Sequence, residues 1–240
     1  MKAQKIILIN NNRYDIVSDS ITLEYNSAGR AIFVIQAKEN LNNQIVQLFI
    51  TNELNIPEPY FSGYIEDSIQ IDSHQQRIFC RELDYLLTSR MPISLRNQSL
   101  ECIVKYLEQQ LKLKVSLLKG IWEKKIIPNF INIGCGYDAI TQIKDLASMP
   151  DIADNILNNF DKKPEFRVNS NEIGLIEIGY KVPIVLDFEP SLFYKQTIYG
   201  ASCPLIPAIR PGMVLNIGTN ESKTIKLVEI TDKEMRICYK

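Results

Sequence analysis

What this chain lacks narrows the chemistry open to it. Its 240 residues include a single histidine, His74. One imidazole cannot build a multi-histidine metal site, and there is no H-E-x-x-H run to set two of them on one helix face. A Ser-His-Asp or Cys-His pair would have to use His74, which lies in the polar run Asp72-Ser73-His74-Gln75-Gln76, where a solvated turn is expected. The five cysteines (Cys80, Cys102, Cys135, Cys203 and Cys238) are scattered, odd in number and never spaced C-x-x-C. That pattern argues against a disulfide framework or a zinc cluster and for free thiols packed as small hydrophobes. With 27 basic and 28 acidic residues, the net charge of −1 lacks the excess that wraps duplex nucleic acid. No run approaches the roughly 20 apolar residues of a membrane span. Met1–Asn10 reads as a short strand, not as a secretion signal. The expectation is a soluble protein made in the cytoplasm.

What is present is the making of a core. Apolar residues are 45% of the chain, ordinary for a globular protein, and the length allows one large domain or two small ones. The N-terminal third reads as strands: Lys5–Asn10, Ile21–Glu24, Ala31–Ala37, Ile45–Thr51, Tyr60–Ile71 and Ile78–Leu83. Asn10-Asn11-Asn12 and Ser27-Ala28-Gly29-Arg30 are turn signals, the second with a glycine free to take positive φ. The middle turns helical. Asn97 or Ser99 can cap a helix whose stripe is Leu100, Ile103, Val104, Leu107 and Leu111. A second helix is predicted from Asp138 to about Met149, ended by Pro150, and 149–159 could add a short third. From Glu165 strands return: Phe166 and Val168, a turn at Asn169-Ser170-Asn171, then 175–178, Val182–Phe188, Leu192–Ile198, Met213–Ile217, Thr224–Ile230 and Met235–Tyr239. The fold class expected is α+β with antiparallel sheets: an N-terminal β module (1–90), a helical insert (91–164) and a C-terminal β module (165–240), the two β modules barrel-like.

Several residues could carry chemistry. Gly134-Cys135-Gly136 precedes a helix, where an anion could sit or a thiol could be activated, but P-loop and dinucleotide spacings are missing, so a simple turn is favoured. Glu66-Asp67 and Glu82/Asp84 could supply a glycosidase-like pair if two carboxyls converged in a cleft; Arg77, Arg81 and Arg90 nearby favour ordinary pairing. Six lysines between Lys105 and Lys125 could form a basic face, though a solvated helix and loop fits better. Tyr60, Phe61 and Tyr64 around Gly63 could stack bases, but without basic neighbours packing is favoured. No catalytic, cofactor-binding or metal-ligating residue is assigned.

An ordered set of segments carries more than any site. Tyr60-Phe61-Ser62-Gly63-Tyr64-Ile65, then Arg77-Ile78-Phe79-Cys80-Arg81-Glu82-Leu83-Asp84, then Pro92-Ile93-Ser94-Leu95-Arg96-Asn97-Gln98-Ser99-Leu100, then Gly136-Tyr137-Asp138-Ala139-Ile140, and finally 166–178 follow one another in sequence. Together they resemble the bacteriophage baseplate hub proteins, which are similar to the N-terminal part of type VI secretion spike proteins. In the second segment the glycine of the family's G-R-D is replaced by Glu82 or Cys80. The resemblance implies a structural, non-enzymatic virion subunit without a cofactor. It would form a homotrimeric ring that joins the tail tube to the central spike, with tube, spike and other baseplate proteins as partners. Specific nucleic-acid binding is not expected. It implies residence in the phage tail baseplate after assembly in the host cytoplasm. The alternatives are a single-stranded nucleic-acid-binding β-barrel and a tail-associated cell-wall hydrolase.

Overall fold

The structure is a computed structural model and describes residues 4–51, 59–117, 125–147, 165–172, 175–181, 183–218 and 222–239. The chain divides into two compact units. One comprises Met1–Leu83, Asn171–Ile173 and Pro183–Lys240; the other comprises Asp84–Ser170 and Gly174–Val182.

In the first unit, β1 (Gln4–Ile9) turns sharply at Asn10 and Asn11, whose φ values are 47° and 67°. Asparagine tolerates this left-handed region better than other side chains, and the turn leads into β2 (Asn12–Tyr14). β2 runs through Asp15 into β3 (Ile16–Glu24). The next reversal falls at Tyr25-Asn26, with Asn26 at φ 57°, so Ser27–Arg30 starts β4 (Ser27–Gln36) and is not the turn the sequence suggested. Gly29 needs no positive φ. It is a glycine because a Cβ there would strike the Leu23 and Glu82 side chains, and the Glu82 Oε2 accepts its N–H at 2.6 Å. β5 (Ile45–Thr51), β6 (Phe61–Gln70) and β7 (Gln75–Glu82) follow close to the expected places.

The C-terminal strands of this unit are β13 (Val185–Phe188), β14 (Lys195–Gln196), β15 (Gly200–Pro204), β16 (Val214–Ile217), β17 (Lys223–Thr231) and β18 (Glu234–Tyr239). They do not form a sheet of their own. β17 pairs with β3 from Thr231↔Ser20 to Leu227↔Glu24, so both chain halves share one 13-stranded sheet. Its main path is β14-β15-β18-β17-β3-β4-β7-β6-β5-β1-β2. Because β2 is continuous with β3, the ladder from β3 round to β1 returns to the strand from which it left. Strand patterning shows that a segment pairs, not with whom. β3 has two edges, and β4 takes one while β17 and then β1, through β2, use the other. The ladders are antiparallel except β13–β16. Alternate residues from both halves fill one core, including Ile7, Phe33, Leu48, Ile65, Val228 and Ile237.

A 3-10 turn, Leu83–Thr88, leads from the end of the first unit's N-terminal segment into the second, which continues with β8 (Ile93–Ser99); β8 pairs only with β10 (Ile126–Asn132) among the described residues. α1 (Leu100–Leu111) is capped by Ser99, whose Oγ accepts the Cys102 N–H at 3.2 Å, and it ends at Lys112 in the left-handed region. Of the two capping residues proposed from sequence, Ser99 fulfils the role. The stripe Leu100, Ile103, Val104 and Leu107 is buried as its spacing predicts. α2 (Gly136–Ala147) begins two residues before Asp138. β9 (Lys114–Leu117), β11 (Glu165–Glu172) and β12 (Leu175–Lys181) form a small sheet in which β9 and β12 are parallel. β11 runs straight through Asn169-Ser170-Asn171, so these residues are not the turn expected there; 173–174, and 148–164 with the proposed third helix, lie outside the described residues. The stretch 91–164 thus carries strands as well as helices. β8 and β10 escaped notice because one is polar and the other contains Pro128. Leu107 is fully buried, and Leu107→Ala is expected to cost about 3 kcal/mol in denaturant unfolding through lost burial and a residual cavity.

Candidate functional site

The residues singled out from sequence fall into local structural roles. His74 is exposed in the β6–β7 loop, its Nδ1 2.7 Å from Ser73 Oγ. Asp72 Oδ1 accepts the N–H groups of His74 and Gln75, which fixes the turn. Asp138 Oδ2 accepts the Cys135 N–H at 2.8 Å, and a Cβ on Gly134 would collide with the same carboxylate. A Cβ on Gly136 would press on Leu87. This glycine spot is therefore a packed helix entry, and a carboxylate already occupies it. Glu66 pairs with Arg81 at 3.1 Å, Asp67 caps the Ser68 N–H, and Glu82 holds Gly29. Lys105 pairs with Glu101 on the open face of α1; Lys119 and Lys124 lie outside the described residues. Tyr60 and Phe61 are buried and so are not stacking platforms. Among the described residues no cluster of three His, Cys, Asp or Glu side chains could hold a metal ion, and no helix is long and apolar enough to cross a membrane.

One carboxyl stands apart energetically. Asp84 is buried in the second unit; its Oδ2 accepts the Tyr137 hydroxyl at 3.4 Å, while Oδ1 has no hydrogen-bond partner. Burial pushes its pKa up to about 6, against the pull of its own and Tyr85's backbone N–H groups and of the Tyr137 hydroxyl. The folded-state value exceeds the unfolded one, so protonation favours folding. Stability should rise as pH falls through about 6 towards 4, and be lost as pH rises again. Asp84→Asn should remove that slope and raise stability at pH 7.5 by about 2 kcal/mol. Thermal midpoints of both proteins across pH 4–8 check this; a wild-type midpoint that falls towards pH 5 in parallel with the variant's would refute it.

Two surface features of the first unit have no counterpart among the sequence candidates. The first is a crevice of about 570 Å³ where β1 and β17 part company along β3. Its walls include Ile16, Val17, Pro204 and Leu205, with Arg13, Asp15, Asp232 and Lys233 around them. At its floor Lys5 and Asp19 pair at 2.5 Å with side chains only 10% and 4% exposed, and Lys5 also donates to the Asp232 carbonyl. Burial holds the Asp19 carboxyl above its usual range, and Lys5 offsets part of the effect. Val17 is the bulged residue of the β3–β4 ladder and is half exposed.

The second feature is the turn between β14 and β15. Thr197 Oγ1 accepts the N–H groups of Tyr199 and Gly200, the Thr197 N–H reaches the Gly200 carbonyl at 2.8 Å, and the Tyr239 hydroxyl lies within hydrogen-bonding distance of both the Thr197 and Gly200 carbonyls. This rigid turn presents Ile198 and Tyr199, each 73% exposed, beside Tyr194 at 55%. The short β14–β15 hairpin brings these residues together. The turn offers apolar surface, whereas the crevice combines apolar walls with charged groups.

No protein-family model matches the chain. It is 21% identical over 216 residues to an uncharacterized 58.7 kDa protein of Haemophilus phage HP1, a match covering 90% of this chain and 39% of that one. The chain therefore spans about two fifths of that relative's length. Among solved structures it is similar to the 43 kDa tail protein of prophage MuSo2 from Shewanella oneidensis, with a TM-score of 0.67, 10% identity and coverage of 100% and 97% of the two chains. A tail protein from Neisseria meningitidis MC58 gives a TM-score of 0.65 at 11% identity, covering 100% and 96%. A third is an Escherichia coli component of the type VI secretion system, reported as similar to the T4 tail proteins gp27 and gp5. Its TM-score is 0.60 at 13% identity, with coverage of 97% and 76%. The chain thus has the fold of phage tail proteins. Within that class its structural neighbours include the hub-like proteins shared by phage tails and type VI secretion, the group its sequence segments resemble.

Proposed function

We propose that this chain is a structural, non-enzymatic subunit of a phage-type tail, acting as its baseplate hub: a homotrimeric ring between the tail tube and the central spike. The observation that carries the reading is the fold match along the whole length of both chains to a prophage tail protein. A fragmentary match could reflect a common barrel; a match over 100% and 97% of the chains includes the second unit as well. The residue roles support it, because the Glu66, Asp67, Glu82 and Asp138 carboxylates are each engaged in a local bond. The ladder that returns through β2 to β3 is the barrel-like element of this proposal, and a closed ladder protects most strand edges from runaway pairing. Three copies around one axis would match the symmetry of a threefold spike. Its partners are then itself and the tube, spike and baseplate proteins, and its place is the virion tail after assembly in the host cytoplasm. Reconstruction of the intact particle tests this: the chain is expected at the tail tip as a threefold ring. Its absence there, or any other stoichiometry, ends the hub reading.

A further inference from the structure

We infer that the Ile198-Tyr199 turn of one copy seats in the Val17–Leu205 crevice of the next, forming the contact between successive subunits. The inference rests on the self-assembling reading above and names the surfaces that would carry it. The turn has the properties of an anchor. Its backbone is fixed by the Thr197 and Tyr239 bonds, so ordering it on binding costs little. Its two side chains nonetheless stand 73% exposed, and rigid, exposed aromatic and aliphatic groups of this kind dominate interface energies. Together with Leu192 and Tyr194 they offer roughly 450–500 Å² of apolar surface, over half of the roughly 800 Å² each partner contributes to a standard interface.

The crevice is the complementary half. At about 570 Å³ it has the size of a site that encloses a small ligand, enough for a pair of side chains. Ile16, Val17, Pro204 and Leu205 give it apolar walls, and Asp15 and Asp232 are acceptors for the Tyr199 hydroxyl or the Lys195 ammonium that flanks the turn. The two surfaces cannot meet within one molecule. The turn precedes Gly200 and the crevice includes Pro204 and Leu205, at opposite ends of β15, about 13 Å apart along the strand. A knob and a hole on separate places of one subunit make a heterologous contact, which generates a ring when the rotation closes. A net charge of −1 leaves copies free of strong mutual repulsion.

The test uses the full chain with a photo-crosslinking amino acid in place of Tyr199, and two variants, Ile198→Asn/Tyr199→Ser and Val17→Asp. All three positions are exposed, so folding should be preserved, and circular dichroism checks this. The expected results are a crosslinked dimer of this chain, with the adduct mapping to residues 13–17 or 204–205, and self-association about tenfold or more weaker in both variants. A wild type that self-associates while both variants match it, or an adduct elsewhere on a second copy, overturns the seat and leaves the ring reading standing. A wild-type chain that forms neither oligomer nor adduct overturns the seat together with the self-assembling reading.

Discussion

Gly63→Val should destabilise the first unit by about 4 kcal/mol or more, and even Gly63→Ala by about 3 kcal/mol. Gly63 lies in β6 between Val46 of β5 and Glu82 of β7. A Cβ built on it would run into the carbonyl of Arg81, with the Phe61 ring 3.0 Å away. A backbone carbonyl held in a ladder cannot step aside as a side chain can. Relief requires β7 to move off β6, and that strand also carries the β4 ladder from Arg30↔Arg81 to Gln36↔Gln75. Gly29→Ala is the internal comparison. There the added methyl meets the ends of the Glu82 and Leu23 side chains, which can rotate, so a loss of about 1–2 kcal/mol is expected. Urea unfolding of the three variants checks the order. Equal losses for Gly63→Ala and Gly29→Ala would show that the Arg81 carbonyl is not the obstacle.

That contrast marks what the sequence could and could not tell. Gly63 belongs to the Tyr60–Ile65 segment that carries the resemblance, so its importance was legible, but its reason was not: the obstacle is a carbonyl eighteen residues away in sequence. Element type was legible wherever periodicity was strong, as in β5, β17 and α1, because side-chain spacing alone reports which face is buried. It failed where a strand had polar or proline-bearing composition, as in β8 and β10, and where a polar triplet, Asn169-Ser170-Asn171, sat inside a strand. Asparagine signals a turn through its tolerance of positive φ, which Asn10, Asn11 and Asn26 use and these three do not. The β3–β17 pairing was invisible because it joins segments about two hundred residues apart in sequence, and no local pattern encodes a long-range partner. The crevice was invisible for the same reason. The crevice is made by the divergence of β1 and β17 along one bent strand, and the Ile198-Tyr199 turn reads in sequence as the end of a strand, not as an exposed knob.

The inventory of polar residues was more readable, and it bears on function. The side chains of Asp72, Glu66, Asp67, Glu82 and Asp138 each complete a bond that fixes a turn, a neighbouring strand or a helix entry. Polar groups used in this way rigidify a scaffold. A structural tail subunit of the kind proposed above would draw on such a scaffold. Asp84, the one carboxyl among the described residues with a buried oxygen that lacks a partner, bears on stability and pH in the second unit.

Tyr60→Ala is expected to cost about 5 kcal/mol, the largest loss from a single side chain. Tyr60 is 2% exposed, and its hydroxyl donates to the Ile209 carbonyl at 2.8 Å in a buried setting. The Arg210 guanidinium lies 4.3 Å above its ring, and the same group donates to the Pro59 carbonyl at 2.8 Å. Burial pushes the phenol's pKa up, so it remains a neutral donor across the accessible pH range. One side chain thus ties the start of β6 to the segment before β16, coupling the chain's N-terminal and C-terminal thirds inside one unit. Truncating a buried aromatic alone costs about 3–5 kcal/mol; the orphaned Ile209 carbonyl and the lost cation–π contact add to it. Tyr60→Phe separates the contributions. It keeps the ring under Arg210 and removes only the hydroxyl, so a loss of about 1–2 kcal/mol is expected. Denaturant unfolding of both variants decides. If Tyr60→Ala costs less than about 2 kcal/mol, Tyr60 is not the tie between the two ends of the chain. If Tyr60→Phe matches it, the buried hydrogen bond, and not the packed ring, holds them together.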